Sequence, residues 1–131
     1  MTTTRVALLQ RLSEQIGDWW TDTTTSIGNV NQKELIDTSL LKHTMGGDDD
    51  GFLDWWVRMT SGAASGETGR VSSSTASTGT LTFSSAFSAR IASGVTYELH
   101  RFDPADKHNA LNAAARLLYP SLAVPLMDET L

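Results

Sequence analysis

The chain has 131 residues, 40% of them hydrophobic, with a formal net charge of −5 and no cysteine. That length fits one domain, able to bury roughly two-thirds of the surface its unfolded form exposes. The acidic balance and scattered Lys and Arg disfavour nucleic-acid binding, the lack of cysteine excludes disulfides and thiolate metal sites, and no apolar run approaches the roughly 20 residues of a membrane span.

Val6, Leu9, Leu12 and Ile16 recur at helical spacing, and Trp19 or Trp20 extends the stripe, which predicts a helix over 3–20. Thr3 or Thr4 suits its cap. Val6 to Leu9 are followed at once by Gln10 and Arg11, too short an apolar run for a signal peptide. The expectation is a soluble chain made in the cytoplasm. From Ser26 to Leu41 the apolar residues show no clean period. Leu35-Ile36-Asp37 reads as a short strand and Asp37-Thr38-Ser39 as a turn, while Lys42 to Gly51 is a loop by composition.

Residues 51–101 read as a small antiparallel sheet or barrel. Strands are expected over 55–60, 69–74, 80–83 and 95–101, separated by Gly/Ser/Ala/Thr turns. Trp55, Val57 and Met59 alternate with Trp56 and Arg58. Val95, Tyr97 and Leu99 share one face of the last strand, and Thr96, Glu98 and His100 the other. Phe87 and Ile91 are expected to plug the core from a connection, and Ser61 to Gly69 to form a hairpin tip. A closing helix is predicted over 103–119. Asp103 suits its cap, Pro104 its first position and Asp106 the positive end of its dipole. Tyr119-Pro120 should stop it, leaving an extended tail over 120–131. The fold class is therefore α+β: one domain over 1–131, its sheet packed by an N-terminal and a C-terminal helix.

The chemistry-bearing residues form no catalytic set. Asp48-Asp49-Asp50 lacks the alternating spacing of a calcium loop and reads as a solvated acidic turn. His43, His100 and His108 imply no third ligand for zinc. No G-x-S-x-G elbow is present, and Gly62 to Gly69 lacks the Lys-Ser/Thr pair of a phosphate loop. No enzymatic activity, metal or cofactor is expected. The tryptophans fall in two adjacent pairs, Trp19-Trp20 and Trp55-Trp56. One ring of each pair should enter the core while the other lies nearer the surface, where tryptophan is a favoured interface residue. Leu111, Ala114 and Leu118 form the apolar side of the closing helix, and Tyr119 and Leu126 extend the set of interface candidates.

The succession WVRMTSGAASGETGRVSS, TGTLTFSSAF and ASGVTYELHRF, followed by a helix with Ala-Leu-Asn-Ala-Ala and ending Tyr-Pro, resembles a module of virion proteins of tailed bacteriophages. The resemblance spans roughly Thr3 to Pro120; Glu67 stands where the module usually has Gln, and a serine run follows Val71. It implies a structural role in the virion, foremost as a head-to-tail connector or adaptor in a ring at the neck. The implied partners are other copies of the chain and portal or tail components, after synthesis in the host cytoplasm. In such rings helices pack on the adjacent subunit and the chain end reaches the next ring. The alternative is a peripheral virion module: tail-fibre attachment, capsid decoration or glycan binding through an outward tryptophan.

Overall fold

The structure, a computed structural model, describes residues 4–43 and 45–129, without the side chains of residues 5, 6 and 118–129. Helix α1 (Arg5–Ile16) begins where the Thr4 hydroxyl accepts a hydrogen bond from Ala7 N at 3.2 Å. It ends at Gly17, whose φ of 75° suits a residue without Cβ and whose N–H caps Ser13 and Glu14 carbonyls. The helix expected over 3–20 is thus four residues too long at its end. Trp19 and Trp20 instead open strand β1 (Trp19–Thr23), where aromatic and β-branched residues favour extended backbone.

The strands after it are β2 (Glu34–Ile36), β3 (Trp56–Met59), β4 (Thr68–Thr75), β5 (Thr80–Phe83) and β6 (Thr96–His100). They form one six-stranded antiparallel sheet in the order β1-β6-β3-β4-β5-β2. The sheet is open and not a barrel, with β1 and β2, both outside residues 51–101, as its edges. An isolated bridge, Ser26–Ile36, links the chain leaving β1 to β2. A register shift between Val71 and Ser73 lets β4 pair with β3 along its first half and β5 along its second. Bulges of this kind bend and twist a sheet.

The inner face carries the core. Leu35, Val57, Met59, Val71, Leu81, Phe83, Tyr97 and Leu99 alternate inward along their strands. Phe87 and Ile91 enter from the β5–β6 connection, as expected, and Leu40, Phe52, Ala64 and Val95 complete the cluster. Ala64 belongs to the β3–β4 loop, so the small-residue hairpin tip partly faces inward. Glu67, at the end of that loop, accepts hydrogen bonds from Ser88 N and Oγ, which ties the loop to the segment carrying Phe87. The acidic loop is also anchored to the sheet. Asp50 Oδ1 accepts from Ser74 N at 3.0 Å and Asp49 Oδ1 from Ala76 N at 2.8 Å, docking it on the end of β4.

Asp37 caps a short 3-10 helix over Thr38–Lys42 and is fully buried. Its Oδ1 accepts from Ser39 N at 2.8 Å, and its Oδ2 accepts from the Tyr97 hydroxyl at 2.6 Å. Ser39 Oγ lies 2.6 Å from Asp37 Oδ1 and 2.7 Å from Asp22 Oδ2, so its single proton bridges one of the two. Burial pushes the Tyr97 hydroxyl far above its usual range, and its hydrogen bond to Asp37 and the charges of Asp37 and Asp22 add to this. The carbonyl of Asp37 sits against the β4–β5 turn: a Cβ on Gly79, at φ 64°, would fall 2.1 Å from it. Gly79→Ala is therefore expected to lose at least about 2 kcal/mol of unfolding free energy, read from urea denaturation.

Helix α2 runs Pro104–Glu129. Asp103 Oδ1 accepts from Ala105 N at 2.8 Å, so the expected start holds. The expected stop at Tyr119-Pro120 does not, and the tail read as extended over 120–131 is helical to Glu129. A proline biases its predecessor away from the helix and removes one ladder bond without forbidding continuation. Residues 130 and 131 lie outside the described residues.

Candidate functional site

The outer face of the sheet presents polar side chains where the helices meet it. Register sets Trp19, His100 and Trp56 side by side across β1, β6 and β3, with Thr21, Glu98 and Arg58 in the next row. α1 brings Ser13 to this face, one turn after buried Leu9, and the first turn of α2 brings Lys107. Asp18 arrives from the link between α1 and β1, directly after the Gly17 cap.

Ser13, Asp18, Lys107 and His100 form a buried cluster that runs out to half-buried Glu98 and Arg58. Lys107 Nζ lies 2.5 Å from Asp18 Oδ2, 2.9 Å from Ser13 Oγ and 2.9 Å from His100 Nδ1. His100 Nε2 is 3.2 Å from Glu98 Oε2, which also accepts from Arg58 at 3.3 Å. The side chains of Lys107, Asp18 and His100 are 4%, 1% and 1% exposed. The hydrogen bond with His100 holds the Glu98 carboxyl below the usual carboxylate range, with burial opposing and the charges of His100 and Arg58 assisting. Ser13 and Lys107 stand at the distance of a Ser–Lys nucleophile pair, but both are sealed from solvent. As built, the cluster fastens both helices to the sheet.

Beside it lies an open cleft of about 340 Å³ lined by Gly17, Asp18, Trp19, Trp20, His43, Met45, Trp55 and Arg101. The His43 ring meets Trp20, Phe52 and Trp55 edge-on, at centroid distances of 4.9, 5.1 and 5.5 Å. Burial moves its imidazole below the ordinary histidine range. Asp18 Oδ1, Trp19 Nε1 and Trp20 Nε1 are buried with no hydrogen-bond partner among the described residues. Among the described residues no group of three or more His, Cys, Asp or Glu is placed to hold a metal ion, and no helix is long and apolar enough to cross a membrane.

The four tryptophans separate by face. Trp20 and Trp55 pack against the core cluster, while Trp19 and Trp56 flank His100 on the outer face. All four are half-buried. Three of them converge on the 340 Å³ cleft; Trp56 lines a second one, of about 400 Å³, with Arg58, Thr68, Pro104 and His108 among its neighbours. Leu111 is half-buried and Ala114 exposed on α2. Leu118, Tyr119 and Leu126 lie on its helical backbone, with side chains outside the described residues. Sequence reasoning overlooked Lys107, Asp18 and Ser13. One signal was available: Lys107 precedes Leu111 by four residues and so occupies the apolar stripe of its helix.

Compared with known protein families, curated proteins and solved structures, the chain matches none.

Proposed function

We propose that this protein is a virion structural subunit of a tailed bacteriophage: a head-to-tail connector or adaptor that works as a ring of identical copies against portal or tail components. The observation that carries this reading is the reach of α2. Its 26 residues extend about 39 Å at 1.5 Å per residue. Its first turns pack on the body through Pro104 and Lys107, with Leu111 half-buried behind them. Beyond these, every residue from Ala113 to Leu117 is exposed, Leu117 to 78%. A helical segment without tertiary support is marginal in water and gains stability by burying a face. Small alanine side chains let an adjacent helix approach closely, and Leu8 and Ile16 leave further apolar surface on α1. A function of this kind needs complementary surface, not a reaction centre.

Native mass spectrometry of the full chain, with electron microscopy of particles that contain it, tests the reading. The expected result is a cyclic oligomer with density between head and tail. A stable monomer, absent from the neck, overturns it. The convergence of Trp19, Trp20 and Trp55 with Arg101 on one cleft favours a second reading, a peripheral virion module that stacks a sugar ring on indole. Trimeric stoichiometry and density at the particle periphery would select that reading in the same experiment.

A further inference from the structure

The cleft of about 340 Å³ gathers polar groups that the fold leaves without partners. Asp18, Trp19 and Trp20 all line it, and Asp18 Oδ1 and both indole nitrogens are buried with no partner among the described residues. Buried polar groups are normally paired, so three exceptions in one lining point to a group from outside the fold. Arg101 lines the same cleft. It is exposed, and no ion pair or hydrogen bond holds its guanidinium among the described residues. His43 adds another donor: burial favours its neutral ring, and Nδ1 accepts from Met45 N at 3.2 Å, which places the proton on Nε2.

The balance of these groups selects a ligand. Arg101, His43 and two indoles donate, while Asp18 Oδ1 accepts. Lys107, 2.5 Å from Asp18 Oδ2, offsets that carboxylate, so Arg101 is the unmatched charge of the lining. The matching ligand is rich in acceptors, carries a negative charge and keeps a donor for Asp18. Trp19, Trp20 and Trp55 add flat apolar walls, which suit a ring with a C–H face. The volume lies near the lower end of ligand sites, roughly 300–1,000 Å³, and admits a ring more readily than a chain. Nothing lies within 4 Å of where a Gly17 Cβ would stand, so the cleft is open on that side. A cation would leave Arg101 and the indoles unpaired. An acidic peptide side chain would pair Arg101 and bring no ring to the walls.

Resting on the reading of this cleft as a sugar site, we propose that it takes an acidic sugar: a carboxylate-bearing ring whose carboxylate pairs with Arg101, whose C–H face stacks on indole, and one of whose hydroxyls donates to Asp18 Oδ1. Guanidinium matches a carboxylate with two parallel N–H bonds. The remaining hydroxyl and ring oxygens accept from His43 Nε2 and the indole N–H groups. Because the orphan atoms are closed to water, seating the ring includes a turn of the indoles that opens those atoms to it.

Titration of the full chain with matched sugars, followed by its indole N–H signals in NMR, tests this at neutral pH. The probes are methyl glucuronide against methyl glucoside, and methyl galacturonide against methyl galactoside; each pair differs only in the carboxylate. At least one acid should bind about tenfold or more tighter than its neutral twin, the scale of one charge-assisted pair. The Trp19, Trp20 and Trp55 signals should move while Trp56, which lines the other cleft, stays still. Arg101→Gln, at an exposed position, should bring the acid down to the level of its twin. Arg116→Gln, on the exposed part of α2, should leave the preference intact. Equal binding of acid and neutral sugars overturns the acidic class and leaves a sugar site standing. No binding of any probe at about 10 mM overturns the site and the sugar reading together. A shift confined to Trp56, or a preference that survives Arg101→Gln, refutes the assignment. So does N-acetylglutamate amide binding as tightly as the better acid, since that ligand has no ring.

Discussion

Replacing Lys107 by methionine should lower the unfolding free energy by about 3–5 kcal/mol, the range found when one partner of a buried ion pair is removed. Methionine matches much of the lysine stem, so the change is chiefly one of charge and donors. It leaves the Asp18 carboxylate with Phe102 N, at 3.3 Å, as its remaining donor to Oδ2, while Oδ1 has no partner among the described residues. Ser13 Oγ and His100 Nδ1 lose the same ammonium. Asp18→Asn placed on top of Lys107→Met removes the orphaned charge and should recover part of the loss, because a buried pair costs more to break than to replace. The effect should persist in high salt, which screens exposed pairs and hardly reaches one whose members are 4% and 1% exposed. Urea denaturation of the two variants gives the comparison; a loss under about 1 kcal/mol for Lys107→Met would make the cluster incidental to stability.

The second large effect belongs to Asp37. Asp37→Ala removes the acceptor for Ser39 N and for the Tyr97 hydroxyl, and leaves that buried hydroxyl unpaired. A loss of about 3 kcal/mol is expected from two or three charge-assisted bonds in a core position. Tyr97→Phe should cost less, about 1–3 kcal/mol, by stranding Asp37 Oδ2 alone. This pair also fixes the sign of an alkaline effect. The native state holds the Tyr97 proton far above the usual phenol range, while the unfolded chain releases it near pH 10. The native state then binds more protons than the unfolded one, so the contribution is complete below about pH 10 and is lost as the pH rises beyond it. Stability measured across that interval should fall more steeply in the wild-type chain than in Tyr97→Phe. Identical slopes would show that the buried hydroxyl does not govern the alkaline limb.

The strands of the central region were legible because their alternation is local. Tyr97 and Leu99 are inward and Glu98 outward on β6, as period-two spacing requires. Phe87 and Ile91 stood out as lone large apolar residues in a polar connection, and both are core plugs. The cap at Asp103 was legible for the same reason, since a helix start depends on a few adjacent residues.

The misreadings share a different cause. Trp19 and Trp20 continue the apolar stripe of α1 on paper, yet Gly17 ends the helix and β6 supplies a partner that turns the next five residues into a strand. Helix propensity yields there to a ladder made with residues far along the chain. Asp37 looked like a turn residue and is one, but its burial follows from where Tyr97 and Gly79 lie. Past Pro120 the bias of a local dipeptide was overridden by the helix that carries it.

Residue order alone was enough for the α+β class, the inward faces of β3, β5 and β6, the start of α2 and the residues that plug the core. Each of these rests on spacing within a few residues, which backbone geometry converts directly into a face or a cap. The three-dimensional arrangement was needed to link buried Asp18, Lys107 and His100 to half-buried Glu98, and to bring three tryptophans to one cleft. Those outcomes depend on cross-strand register and on where two helices land, which no local pattern encodes. A charged side chain reads as solvent-facing until the fold supplies both its partner and its roof.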